Sequence, residues 1–120
     1  MTYFLDTYAL IEIVKGNKNY EKFLSSEIFT SLFNLYEFYF ILLKDFNETS
    51  ARKFFEEFRD RVINIEDEHI FDASKFKLIN SRRKFSYVDC LGYVMALKLG
   101  IKFLTGDMQF EKFKNVEFVK

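Results

Sequence analysis

Residues 86–107 read SYVDCLGYVMALKLGIKFLTGD, and the spacing of charges in this stretch decides the fold. From Val88 to Leu99 the only charged residues are Asp89 and Lys98, a pattern that predicts a helix buried on most sides. Gly100 stands where such a helix would end in a left-handed residue. The apolar run Ile101 to Leu104, closed by Thr105 and Gly106, predicts a strand and then a tight turn. A helix of about 11 residues is about 16 Å long and a strand of about four to five residues rises about 13 to 16 Å, so the strand returns to the level where the helix began. Asp107 is thereby brought near Asp89. Two carboxylates at one edge of a buried unit repel each other unless a proton or a cation intervenes, which points to a divalent metal.

Working outward, Thr2 to Leu5 (TYFL) form a β-prone run, after which Asp6 and Thr7 open an apolar-periodic helix (Tyr8, Leu10, Ile11, Val14) that stops at Gly16. Asp6 is either the cap of that helix or an acid presented at a strand end. Residues 18–25 suggest a short helix carrying Tyr20, Phe23 and Leu24; Glu27 to Thr30 offer a second strand, and Ser31 caps the next helix. Between Ile28 and Leu43 the only charged residue is Glu37, and a carboxylate is rarely buried without a partner. Residues 48–61 place Ala51, Phe54, Phe55 and Phe58 on one helical face, which reads as core or dimer interface. Val62 to Ile65 suggest a further strand, and Glu66 to Ser81 a helix whose N-terminus is decorated by His69, the sole histidine. The run Arg82, Arg83, Lys84 leads directly into the central stretch and is suited to holding phosphates. A short helical turn after Asp107 and a last strand, Val116 to Val119, complete the chain.

With 120 residues, 49% of them hydrophobic and 20% aromatic, the expectation is one domain with a substantial core. The 18 basic and 18 acidic residues balance, so no overall field draws the chain to nucleic acid or anionic lipid, and any nucleic-acid binding needs a local patch. The single Cys90 excludes an internal disulfide and a multi-cysteine metal site; its place in the buried helix marks it as a core residue in a reducing, intracellular setting. No apolar run approaches the roughly 20 residues of a membrane span, and the N-terminus lacks signal-peptide features, so a cytoplasmic protein without a membrane partner is expected. The order of elements, strands alternating with helices and no proline or repeat, indicates an α/β domain with a mostly parallel sheet. Ligands of such sheets bind at the carboxyl ends of the strands, and Asp6, Glu37, Asp89 and Asp107 all fall at that rim. A rim of carboxylates without Cys or His suits magnesium or manganese rather than zinc, and phosphoryl chemistry with a metal-activated water. Thr7 and Thr105 would orient the carboxylates by hydrogen bonds.

FLDTYALIE around Asp6, LYEF around Glu37, SYVDCLGYVMALKLG around Asp89 and FLTGDMQF around Asp107 together resemble the acidic motifs of the PIN domain, in the small form typical of VapC toxins. The resemblance covers essentially the whole chain. It implies a three-layer α/β/α domain with a short, mostly parallel central sheet, and a magnesium- or manganese-dependent endoribonuclease. It further implies frequent homodimerisation and inhibition by an antitoxin encoded alongside. Position by position, Asp6, Glu37, Asp89 and Asp107 would be the catalytic, metal-binding acids and Thr105 a supporting hydroxyl; separately, the basic run Arg82, Arg83 and Lys84 adjoining Asp89 is expected to hold the RNA. One departure stands out: many relatives carry another acid where this chain has Gln109, which leaves a second metal site open to question. A phosphatase of the haloacid dehalogenase type would need an acid at Tyr8 and gives no reason for Glu37. A non-catalytic PIN-like binding module is the other alternative, and loss of an acid, which would favour it, has not occurred.

Overall fold

The computed structural model describes residues 1–120. Four strands, β1 (Thr2–Leu5), β2 (Glu27–Phe29), β3 (Lys102–Thr105) and β4 (Val116–Phe118), form one sheet in the order β2-β1-β3-β4. Every pairing is parallel, with Tyr3 opposite Ile28, Phe4 opposite Phe103, and Leu104 opposite Glu117. Side chains alternate across the strands. Tyr3, Leu5 and Leu104 therefore enter one core and Phe4 and Phe103 the other, and both cores must be covered by helices.

The first core is closed by α1 (Thr7–Val14), α2 (Leu32–Asp45) and α3 (Glu48–Arg59), through Leu10, Leu35, Phe38, Leu42 and Phe58. The second is closed by α4 (Asp67–Ile79) and α5 (Tyr87–Leu99), through Ala73, Cys90, Tyr93, Val94 and Met95. The result is the expected three-layer α/β/α arrangement. α5 is buried without a break from Cys90 to Ala96, and it ends at Gly100 in the left-handed region, φ 70°, which spares a side chain from strain. Lys98, the other charge in this helix, is tied to Asp72 of α4 at 2.7 Å. His69 is buried at the start of α4, where its Nδ1 accepts the Glu66 N–H at 2.9 Å, so the histidine caps the helix as its position suggests.

One expectation needs correction and two become narrower. Val62 to Ile65 do not form a strand: a single bridge joins Thr30 to Val62, after which Ile63 and Ile65 turn into the second core. The segment crosses from one layer to the other and has no length left for a ladder. Residues 18–25 form a 3₁₀-helix, and its three-residue turn aligns Tyr20 with Phe23, both buried, while Leu24 is 55% exposed. The Phe face of α3, expected to be core or dimer interface, packs as core: Phe58 stands edge-on to Phe38, Phe55 to Tyr39 and Phe54 to Phe46. What is exposed instead is the outer face of α2, with Phe33, Tyr36 and Phe40, and that of α4, with Phe71, Leu78 and Ile79. No helix is long and apolar enough to cross a membrane.

Candidate active site

Asp6 leaves the carboxyl end of β1 and caps α1. Its Oδ1 accepts the Ala9 N–H at 2.9 Å and its Oδ2 accepts the Thr105 hydroxyl at 2.5 Å, so the carboxylate is fixed by the helix it starts and by the neighbouring strand β3. The side chain is buried at 4% exposure. Burial pushes its pKa from 3.8 up to about 7; the two hydrogen bonds oppose the rise, and the negative charges of Asp89 and Asp107 add to it.

Asp89 sits in the first turn of α5 within a reciprocal cap: Ser86 Oγ accepts the Asp89 N–H at 3.0 Å, and Asp89 Oδ2 accepts the Ser86 N–H at 2.9 Å. Its pKa is raised, first by burial and then by the charges of Asp107 and Glu37, against the hydrogen bonds from Ser86. Asp107 follows β3 by two residues. Its N–H donates to Thr105 Oγ1 at 3.0 Å and its Oδ1 accepts the Gln109 N–H at 3.0 Å. Thr105 is thus a relay, donating to Asp6 and accepting from Asp107. Between them lies Gly106, where an added Cβ would run into the Tyr8 ring and come within 2.5 Å of the Val119 carbonyl.

Glu37 lies on α2, whose start is fixed by a polar network. Ser31 Oγ donates to Asn34 Oδ1 at 2.6 Å, and Asn34 Nδ2 donates to Thr7 Oγ1 at 3.2 Å. Thr7 is therefore bonded to α2, not to a carboxylate, which corrects the role expected for it. Cys90 has its thiol pushed up to about 11, chiefly by burial, and is a core residue rather than a nucleophile.

The four acids thus share one rim electrostatically, Asp6 with Asp89 and Asp107, and Glu37 with Asp89. As the side chains stand, no three of them converge as a ready ligand set. The donors nevertheless fit a hard divalent cation. All are carboxylate oxygens, burial with mutual repulsion raises the pKa of two of them, and Asp89 Oδ1, Asp107 Oδ2 and both Glu37 oxygens carry no hydrogen bond from the protein. The basic run lies against the same turn: Arg83 Nη1 donates to the Gln109 carbonyl at 3.0 Å, and the Lys84 N–H to Gln109 Oε1 at 2.9 Å. Reading the sequence alone passes over Ser86, Asn34 and the bonding of Gln109. Only Ser86 carries a local signal, the Ser-x-x-Asp spacing of a capping box.

A family model described as PIN domain matches residues 3–116. The chain belongs to the PIN domain family. Solved structures agree with this PIN domain in fold. A Mycobacterium tuberculosis toxin, VapC20, described as cleaving the sarcin-ricin loop, is 19% identical with a TM-score of 0.77, covering 95% of this chain and 98% of its own. VapBC-1 from nontypeable Haemophilus influenzae is 18% identical with a TM-score of 0.75, covering 100% and 98%. VapBC2 from Rickettsia felis, bound to a DNA fragment of its promoter, is 18% identical with a TM-score of 0.73, covering 99% and 98%. At these identities the likeness is one of fold. No curated protein sequence matches this PIN domain.

Proposed function

We propose that residues 1–120 act as one domain, a cytoplasmic endoribonuclease that uses magnesium or manganese and serves as the toxin of a toxin–antitoxin pair. The observation that carries this reading is the Asp6 carboxylate, locked by Ala9 and Thr105 and its pKa raised by burial, with the charges of Asp89 and Asp107 adding to the rise. A cation would stabilise such a group, and capping α1 needs only one of its two oxygens. Asp6, Glu37, Asp89 and Asp107 would hold the metal, which when bound supplies a polarised phosphate oxygen and an activated water.

The chain's own residues do the rest. Thr105 fixes the direction of Asp6, Ser86 that of Asp89, and the Gln109 N–H that of Asp107, so three carboxylates are oriented before any ligand arrives. Phosphates of the substrate would be met by cations of the basic run Arg82, Arg83 and Lys84. Support for an exposed RNA loop as substrate comes from VapC20, whose description names one, and for a protein partner from the toxin–antitoxin complexes of matching fold. Homodimerisation belongs to the same proposal, through the exposed Phe71, Leu78 and Ile79 of α4. Sedimentation at micromolar concentration should show a dimer that Leu78→Lys with Ile79→Lys dissociates; a wild-type monomer would contradict it.

Cleavage of a mixed RNA pool tests the reaction. Activity should need manganese or magnesium, disappear in EDTA, and fall by two or more orders of magnitude in Asp107→Asn with little change in RNA affinity. Activity that survives both treatments refutes the metal-hydrolase reading and leaves a binding module.

A further inference from the structure

Gln109 is bonded in two directions at once. Toward the acid rim its N–H donates to Asp107 Oδ1 at 3.0 Å, and Asp107 is joined through Thr105 to Asp6. Toward the basic run its Oε1 accepts the Lys84 N–H at 2.9 Å, its Nε2 lies 3.4 Å from the Lys84 carbonyl, and its own carbonyl accepts Arg83 Nη1 at 3.0 Å. The side-chain amide grips the Lys84 backbone as a neighbouring strand would.

Arg83 is committed to the protein as well. Its guanidinium lies 4.8 Å from the centre of the Phe113 ring and 5.9 Å from that of Phe85, both part of the second core or packed against it. The Arg82 guanidinium and the Lys84 ammonium make no ion pair or hydrogen bond, and both residues are exposed. The three cations therefore divide into one anchor and two free groups.

Resting on the ribonuclease reading above, we propose that Gln109 is a positioning residue that fastens the 82–84 loop to the Asp107 turn, with Arg83 as its second anchor. Arg82 and Lys84 are thereby presented to RNA phosphates at a fixed offset from the acid rim. A loop free to swing would have to be ordered by each RNA it bound, and that ordering would weaken binding. With no net charge to draw RNA in, the placing of two cations matters more than their number.

Gln109→Met keeps the length and charge of the side chain and removes both of its hydrogen bonds, so it is the decisive variant. The Lys84 amide hydrogen should exchange slowly in the wild type and fast in Gln109→Met, while amides of α5 and β3 are unchanged. Affinity for a mixed RNA pool, measured in EDTA, should fall about five- to tenfold. Arg82→Ala and Lys84→Ala should each reduce the salt dependence of binding by about one phosphate contact, and Arg83→Ala should leave that dependence unchanged while freeing the Lys84 amide. A Lys84 amide that exchanges freely in the wild type overturns the inference, as does unaltered RNA affinity once Gln109→Met has freed it. A wild-type chain that cleaves no RNA with manganese present refutes the ribonuclease reading and the positioning role with it. A chain that cleaves RNA but is indifferent to Gln109→Met overturns the positioning role alone.

Discussion

Asp6 is the residue at which folding and chemistry pull against each other. Burial raises its pKa from 3.8 to about 7, with Asp89 and Asp107 adding to the rise. Between those values the folded chain therefore keeps a proton that the unfolded chain has lost. The contribution of Asp6 to the stability of the metal-free protein is accordingly full below about pH 4 and is lost as pH rises through 7. At about 1.4 kcal/mol per pH unit the ceiling on that loss is about 4 kcal/mol. Thermal melts in EDTA should show Tm falling from pH 5 to pH 8. Asp6→Asn should flatten this profile and melt higher than the wild type at pH 8, because an amide accepts the Ala9 N–H without carrying charge. Manganese should raise the wild-type Tm at pH 8 and leave that of Asp6→Asn nearly unchanged. A wild-type Tm that rises with pH across this range would show that Asp6 is ionised at no cost.

At the scale of the element, the start of α5 controls where Asp89 points. Ser86→Ala removes the acceptor of the Asp89 N–H, a cap worth about 1 kcal/mol, and loosens the turn from which Asp89 reaches the rim. Denaturant titration should show that loss, and RNA turnover should fall about three- to tenfold with unaltered RNA affinity; Ser86→Thr should restore both. Equal turnover in Ser86→Ala would mean that the backbone bond alone, Ser86 N–H to Asp89, orients the acid. This same element was the most legible part of the sequence. A 13-residue helix buried from Cys90 to Ala96 followed by a four-residue strand favours one return path, so the approach of Asp107 to Asp89 follows from lengths. The segment from Val62 to Ile65 was illegible for the opposite reason. Its residues favour a strand, but a strand needs an edge to pair with, and the crossing between layers leaves room for one bridge. Periodicity likewise showed that Phe54, Phe55 and Phe58 share a face, without showing that α2 already occupies it. The Gln109 latch had no local trace, since its partner lies 25 residues away.

For the molecule as a whole, the exposed aromatic face of α2 and the acid rim form one continuous surface. Phe33, Tyr36 and Phe40 are 49%, 75% and 57% exposed, and they flank Glu37 and Val88. Phe33 and Val88 also line an apolar groove of about 210 Å³ that continues between α4 and α5 past Ile70 and Leu91. A partner laid along α2 would bury these rings and reach the carboxylates at its end, and so would need an apolar segment followed by a basic one. An antitoxin with a basic, apolar C-terminal tail has that character. A short protein of that character encoded in a neighbouring reading frame and purified with this chain should therefore abolish RNA cleavage. The double variant Tyr36→Lys, Phe40→Lys changes only exposed side chains and leaves Glu37 in place, so its cleavage without the partner should remain within about twofold of wild type. It should resist inhibition by at least tenfold in partner concentration, because burying two lysines against an apolar tail costs more than 1.4 kcal/mol, the equivalent of that factor. Inhibition of the double variant at the wild-type concentration would place the partner on another face.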